Sequence, residues 1–243
     1  MHIYEKVFMD RAGLAANGPI TIVAFGDSIT HGAFEADVYD YENTYWNILK
    51  KKIQKQYPYI PVNVINAGIG GYKASNSYMR IDKHVLKHEP DLIIVCFGLN
   101  DVQNDLETYL HCLKIIFEKI QKKGIDCIFM TPNMLCTRVV EDVAPEHVKI
   151  AERLAEIQNS GRMDRYMQAA IRLCEEMGVT VCDCYSIWKQ WSQTQDITMP
   201  LANRVNHPSR EMHAFFADRL YETIFGQQPI GSASKDDGMF YGD

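Results

Sequence analysis

The sequence has few positive charges and no long apolar run. Its 25 Lys and Arg residues are outnumbered by 31 Asp and Glu residues, which gives a formal net charge of −6. Such a chain offers no basic surface for nucleic acid or for an anionic membrane. No stretch approaches the length of a membrane span, and residues 1–6 lack the basic start and apolar run of a signal peptide. We therefore expect a cytoplasmic protein without a nucleic-acid partner or membrane insertion.

The sequence also lacks the spacings that metal sites require. Its seven cysteines are an odd set that stands mostly in apolar segments, which favours reduced core thiols over disulfides. Cys182 and Cys184 are close together, but zinc sites use a second, separated pair. His84 and His88 stand one helical turn apart without the glutamate of an H-E-x-x-H motif, which favours a solvated helix face. We expect no metal and no cofactor.

Apolar segments alternate with amphipathic ones along most of the 243 residues. The pattern predicts strands at 20–25, 62–65, 92–97, 125–130 and 179–184, and helices at 43–57, 76–88, 105–122, 145–158, 162–177 and 208–225. This alternation predicts an α/β fold of three layers, α/β/α, in which a doubly wound five-stranded parallel sheet of the flavodoxin-like type carries helices on both faces.

The predicted elements form one domain, residues 1–226, that is long enough to bury a substantial core. Residues 134–161 depart from the short loops typical of such folds. This excursion is either a lid or substrate wall at the carboxyl edge of the sheet, or a packed surface insertion. The terminal segment 227–243 is rich in Gly, Ser and Asp, which predicts a flexible tail.

Polar side chains follow three of the predicted strands where each strand ends. Ser28 follows the first strand, a glycine-rich loop at 66–71 follows the second, and a Gly-Leu-Asn-Asp turn at 98–101 follows the third. Open parallel sheets bind ligands at this carboxyl edge, so Ser28 is a candidate nucleophile, although Ser is also a common helix N-cap. Late in the chain, Pro208 favours a helix start that would hold His207 as a rigid general base.

These clusters resemble, in order and spacing, the four sequence blocks of the SGNH (GDSL) hydrolases. The matching residues are Gly26-Asp27-Ser28, the loop 66–71, the turn 98–101 and Asn206-His207-Pro208, and the resemblance extends over residues 21–225. It implies that Ser28 is the nucleophile and His207 the base. It also implies an oxyanion hole formed by the backbone N–H groups of Ser28 and Gly71 and by the side-chain amide of Asn100.

The sequence departs from that family at one position. The family places an acidic residue three positions before the histidine, and Arg204 stands there. The group that orients His207 is therefore either a backbone carbonyl within 203–205, which we favour, or a carboxylate from elsewhere, with Asp196 and Asp183 as candidates. We expect the Arg204 side chain to point away from His207.

The resemblance implies a serine ester hydrolase, and the absence of a long apolar surface stretch favours small-molecule esters with short acyl chains. Three alternatives stay open: a carbohydrate O-deacetylase, a thioesterase, and a non-catalytic binding module with a degenerate triad. The sequence leaves the oligomeric state open.

Overall fold

The computed structural model describes residues 2–226, and their centre is a five-stranded parallel sheet. The strands are β1 (Ile20–Gly26), β2 (Val62–Asn66), β3 (Leu92–Cys96), β4 (Asp126–Met130) and β5 (Thr180–Cys182). They lie in the order β2-β1-β3-β4-β5. This is the flavodoxin-like, doubly wound order, which confirms the predicted fold class. The predicted tail at 227–243 lies outside the described residues.

Helices cover both faces of the sheet, with α4 packed against α11 and α7 against α9. In chain order they are α1 (His2–Lys6), α2 (Arg11–Asn17), α3 (Ser28–His31), α4 (Tyr45–Gln56), α5 (Ala74–Ser77), α6 (Ile81–His84), α7 (Leu106–Lys122), α8 (Val148–Asn159), α9 (Arg162–Met177), α10 (Cys184–Trp191) and α11 (Arg210–Phe225). Short 3₁₀ turns lie at Leu86–His88, Asp101–Gln103 and Pro145–His147. Among residues 2–226, no helix is long and apolar enough to cross a membrane.

The strand order places three polar turns side by side. Every residue of β3 is buried, as expected for a central strand covered on both faces. Strand β1 pairs with β2 on one side and with β3 on the other. The turns that follow these three strands, which carry Ser28, the loop 66–71 and Asn100, therefore share one edge of the sheet.

The segment predicted as one helix at 76–88 is instead α5, α6 and a 3₁₀ turn. Ser and Asn hydrogen-bond to nearby backbone groups and weaken helix interiors, and Asn76 and Ser77 stand where the prediction needs continuous helix. Tertiary contacts also hold the break: the Arg80 guanidinium donates to the Ala67 carbonyl at 2.8 Å and stacks over the Phe25 ring at 4.8 Å.

Other parts of the chain also differ from the prediction. Strand β5 stops at Cys182 because Asp183 caps a helix, α10, that the sequence analysis missed. Helix α11 begins at Arg210 and not at Pro208, since Pro208 pairs with Leu201 in an isolated bridge. Helices α1 and α2 precede the first predicted element.

Candidate active site

Ser28 is the first residue of α3, directly after β1, and its side chain is nearly buried at 7% exposure. Asp27 is the N-cap of that helix and accepts the Ile29 N–H at 3.0 Å. The N–H of a first helical residue has no partner within its helix, so the Ser28 N–H is free to meet a ligand. Gly26 permits this tight arrangement, because a Cβ there would lie 2.6 Å from the Cys96 carbonyl oxygen.

His207 faces Ser28 across the end of the sheet. Its Nε2 lies 3.1 Å from Ser28 Oγ, and its Nδ1 lies 2.9 Å from the backbone oxygen of Phe34. A carbonyl can only accept, so Nδ1 carries the proton and Nε2 is left as the acceptor toward the hydroxyl. Burial lowers the pKa of His207, the Phe34 carbonyl raises it, and the nearby His147 lowers it. The net decrease keeps the imidazole neutral, the form that a general base needs.

The loop before His207 is held by two asparagine side chains. Asn203 Oδ1 accepts the N–H groups of Val205, Asn206 and His207 at 3.0, 2.9 and 2.9 Å. Asn133, which follows β4, donates from Nδ2 to the Asn206 carbonyl at 2.9 Å. These bonds fix the position of the loop, and with it His207, at the sheet edge. They are needed because His207 lies outside α11, which begins three residues later.

Arg204 points away from His207, as expected. Its backbone is left-handed, with φ at 59°, and its guanidinium pairs with Asp142 at 2.8 Å. The same guanidinium donates to the carbonyls of Met199 and Leu201. The Arg204 guanidinium is therefore held by Asp142 of the excursion 134–161 and by two carbonyls of its own loop.

Neither of the two candidate acids contacts the imidazole of His207, because each is engaged elsewhere. Asp196 pairs with Arg138 through Nε at 3.0 Å. Asp183 caps α10 by accepting the Ser186 N–H at 3.1 Å. The sequence pattern predicted Asp183 at the end of a strand, and its role as the N-cap of α10 explains why it faces that helix.

We favoured a backbone carbonyl as the group that orients His207. In the structure a backbone carbonyl does contact this histidine, but it comes from a different segment. The carbonyl belongs to Phe34, which lies 173 positions from His207, and not to 203–205. Any residue can supply a backbone carbonyl, so no side-chain pattern could have indicated Phe34. Asn203 and Asn133 were also missed as supports, although Asn four residues before His207 is a recognisable turn signal.

Asn100 lies at the end of β3, beside Asp27. Its Nδ2 donates to the Tyr72 carbonyl at 3.1 Å and lies 3.4 Å from Asp27 Oδ2. The contact with Asp27 is long for a hydrogen bond, so one N–H of the amide is weakly held and can turn to an incoming oxyanion. Burial raises the pKa of Asp27 to about 7.

Asp101 braces the turn that carries Asn100. Its carboxylate accepts the N–H groups of Ala74 at 2.9 Å and Gly98 at 3.0 Å. Burial raises the pKa of Asp101 to about 6, although these two hydrogen bonds lower it.

The glycine-rich loop reaches Ser28 through Gly70. A Cβ at Gly70 would lie 3.9 Å from Ser28 Cβ and 3.7 Å from His31 Nδ1, which accepts the Gly70 N–H at 3.3 Å. Gly71 is exposed, has a left-handed φ of 74°, and a Cβ on it would meet no atom within 4 Å. Gly70 therefore lies against Ser28, and Gly71 is the next residue of the loop, with open space around it.

The excursion 134–161 packs beside the His207 loop. The Cys136 N–H donates to the Val205 carbonyl at 2.9 Å, and Asp142 holds Arg204. The charge of His147 lowers the pKa of His207. The segment therefore adjoins one side of the site. Within residues 2–226, no group of three or more His, Cys, Asp or Glu side chains could hold a metal ion.

Known proteins share both the sequence pattern and the fold. The model of the GDSL-like Lipase/Acylhydrolase family matches residues 24–215. The chain is 30% identical over 147 residues to the "Uncharacterized lipoprotein YqeF" of Bacillus subtilis (strain 168), which covers 56% of this chain. It spans only about half the length of that curated relative, 56%.

Two solved structures illustrate the likeness in fold. The acetylxylan esterase Axe2 of Geobacillus stearothermophilus has a TM-score of 0.65 at 21% identity, over 84% of this chain and 94% of the other. The lipase/acylhydrolase of Enterococcus faecalis has a TM-score of 0.65 at 22% identity, over 86% and 96%. Because the family model matches most of the chain, this protein belongs to the GDSL-like lipase/acylhydrolase family of ester hydrolases.

Proposed function

We propose that the chain hydrolyses short-chain acyl esters through an acyl-enzyme intermediate on Ser28. One observation carries this proposal: Nε2 of a neutral, half-buried His207 lies 3.1 Å from Ser28 Oγ. That distance is within hydrogen-bond reach, as a nucleophile and its general base require. The same histidine is fixed in the needed tautomer by the Phe34 carbonyl.

The reaction runs in two halves. As Ser28 Oγ attacks the ester carbonyl carbon, His207 takes the hydroxyl proton, and the imidazolium then protonates the departing alkoxide. His207 next takes a proton from water, the resulting hydroxide attacks the acyl carbon, and Ser28 leaves with that proton. The products are a free acid and an alcohol.

The oxyanion of each tetrahedral intermediate needs donors at the sheet edge. We assign this role to the Ser28 N–H, the Asn100 side-chain amide and the Gly71 N–H. Ser28 is supported by its place at a helix start, and Asn100 by its weakly held second N–H. Gly71 is supported by its place in the loop next to Gly70, which lies against Ser28, and by the open space around it. Such donors act on charge that exists only in the transition state.

The proposed preference for short acyl chains is supported by the excursion 134–161, which we propose as one wall of the substrate site. Its contacts with the His207 loop leave the wall close to the reacting atoms. Rates should fall from acetyl to dodecanoyl esters of p-nitrophenol. A steady rise along that series would contradict the preference.

Ser28→Ala tests the proposed nucleophile. We expect it to abolish hydrolysis of p-nitrophenyl acetate and labelling by a fluorophosphonate, while Ser75→Ala, in the half-buried α5, retains both. Labelling at another serine, or wild-type turnover in the Ser28 variant, would overturn the assignment. A wild-type protein without turnover on any ester would support the alternative of a binding module.

A second candidate function is O-deacetylation of a carbohydrate, and an aromatic surface beside the nucleophile favours it. The His31 ring lies one helical turn from Ser28, and Tyr39 packs on it at 4.8 Å and Tyr41 at 6.4 Å. Both tyrosines are about half exposed, at 52% and 51%. Flat exposed rings suit the apolar C–H faces of sugars. The similar fold of the acetylxylan esterase accords with this candidate.

Tyr41→Ala tests this candidate, because Tyr41 lies outside the segment 33–40 whose Phe34 carbonyl contacts His207. We expect it to raise KM for acetylated xylo-oligosaccharides and to leave p-nitrophenyl acetate hydrolysis unchanged. Tyr59→Ala is the matched control, because Tyr59 is 57% exposed and lies before β2. Equal behaviour of the two variants on both substrates would exclude the aromatic surface as a sugar site.

We also propose a cytoplasmic location. All seven cysteines are free and six of them are buried, which suits a reducing compartment. The curated relative is named a lipoprotein, so the location needs a direct test. Cell fractionation that finds the protein in the membrane or outside the cell would overturn it.

A further inference from the structure

We propose that Arg210 is a positioning residue for His207, acting through the loop that carries Phe34. This inference rests on the proposed function, because the Phe34 carbonyl matters to catalysis only if His207 is the base. We use "Phe34 loop" for residues 33–40, between α3 and α4.

The Phe34 loop is closed by a bridge between Ala33 and Tyr39, and the Phe34 N–H donates to the Val38 carbonyl at 2.9 Å. Its far end is tied by the Asp40 N–H, which donates to the Gly32 carbonyl at 2.9 Å, and by the Thr44 hydroxyl, which donates to the Asp40 carbonyl at 2.8 Å. Residues 36–39 are exposed. Exposed loops of this kind open locally at low free-energy cost. An anchor from outside the loop therefore limits how far its exposed part, and with it the Phe34 carbonyl, can move.

Arg210 contacts three residues of this loop. Its Nε lies 2.8 Å from Asp40 Oδ2, and its Nη1 lies 2.7 Å from Glu35 Oε1. Its guanidinium also stacks 4.6 Å above the Phe34 ring. The planar group thus joins the two flanks of the loop and covers the residue whose carbonyl contacts His207. A lysine could not reproduce this arrangement, since it has neither the fork nor the flat face.

Helix α11 ties these contacts to the catalytic histidine. Arg210 is its first residue, only three positions after His207. His213, one turn further on, packs against the Phe34 ring from the same helix at 4.6 Å. The Phe34 ring therefore contacts two residues of α11, the helix that begins three residues after His207, so α11 fixes the Phe34 side of the hydrogen bond to His207.

Arg210 is partly exposed, and exposed ion pairs add little to stability. A purely structural role would show as a small loss of Tm with unchanged kinetics. A positioning role would show as a loss of kcat with unchanged KM, because a base displaced by about 1 Å can cost about 10²-fold.

Arg210→Met is the test, and Arg219→Met is its matched control. Arg219 lies on the same helix with the same side-chain exposure of 39% and pairs with Glu222 within its own helix. For p-nitrophenyl acetate we expect Arg210→Met to lose about 10²-fold in kcat with KM within about twofold, and Arg219→Met to match the wild type. Arg210→Lys should recover only part of the loss.

Two further readouts separate positioning from folding. Guanidinium chloride, added to Arg210→Ala below denaturing concentrations, should restore part of kcat. The Nδ1–H proton of His207 should exchange slowly with water in the wild type and faster in Arg210→Met. If Arg210→Met fails to fold, Glu35→Gln/Asp40→Asn removes the same two ion pairs from the loop side and should give the same loss of kcat.

Wild-type kcat in the Arg210 variants, or a loss shared equally by Arg219→Met, would overturn the proposal. Its failure is distinguishable from failure of the proposed function. An active wild type, an inactive Ser28→Ala and a fully active Arg210→Met would reject Arg210 alone. Retained turnover in Ser28→Ala would instead reject the serine mechanism.

Discussion

Nδ1 of His207 donates to the backbone oxygen of Phe34 over 2.9 Å. A neutral carbonyl thus stands where serine hydrolases commonly place a carboxylate. It fixes the tautomer as a carboxylate does, but it brings no formal charge to stabilise the imidazolium. Arg204, which occupies the sequence position of the expected acid, is turned toward Asp142. The proposed site is therefore a Ser-His pair with a backbone partner.

Asp196→Asn and Asp183→Asn should each keep kcat within about tenfold of the wild type, whereas loss of a true triad acid costs about 10⁴-fold. The reason is that the first carboxylate pairs with Arg138 and the second caps α10. Asp183→Asn should lower stability only slightly, because Asn is also a good N-cap. A collapse of kcat in either folded variant would contradict the assignment of Phe34.

Asn100→Ala should lose about 10² to 10³-fold in kcat with little change in KM, because its amide is proposed to meet charge found only in the transition state. Asn104→Ala, four residues further on and exposed, serves as the control and should retain kcat. Steady-state kinetics on p-nitrophenyl acetate would decide. Equal losses in binding and rate would indicate a ground-state contact instead.

The acid limb of the pH profile of kcat/KM should have its midpoint below 6.5, the ordinary pKa of histidine. As the proposed base, His207 would act only after losing its proton, and burial lowers the pKa at which it does so. Activity should therefore rise with pH through a midpoint below the ordinary histidine value. His147→Gln removes a charge that lowers this pKa, so it should move the midpoint upward. A midpoint above 6.5 in the wild type would contradict the neutral imidazole.

Asp27→Asn should flatten the pH dependence of stability. Burial raises the folded-state pKa of Asp27 from 3.8 to about 7, so between these values the folded protein keeps a proton that the unfolded chain releases. The free energy of unfolding from this group must then fall as pH rises from 4 to about 7. Urea titrations at pH 5 and pH 8 should show the variant gaining relative to the wild type at the higher pH. His213, whose burial lowers its pKa to about 3, contributes the opposite slope and is present in both proteins. An unchanged difference between the two pH values would indicate that Asp27 is ionised throughout.

The sequence by itself determined the elements whose patterns are strong and local. Continuous apolar runs such as Leu92–Cys96 predicted the central strands, and α9 was placed at its observed bounds by its amphipathic period. Since the carboxyl ends of neighbouring parallel strands meet at one edge, the order of the polar turns also predicted that Ser28 and Asn100 lie near each other.

Only the tertiary structure decided what depends on contacts between distant segments. The helix breaks after Ser77, and Arg80 holds this break through its contacts with Ala67, which follows β2, and with Phe25 in β1. The partner of His207 is a backbone oxygen, a group that every residue carries, so its choice was set by how the Phe34 loop folds against α11 and not by any side chain in the sequence.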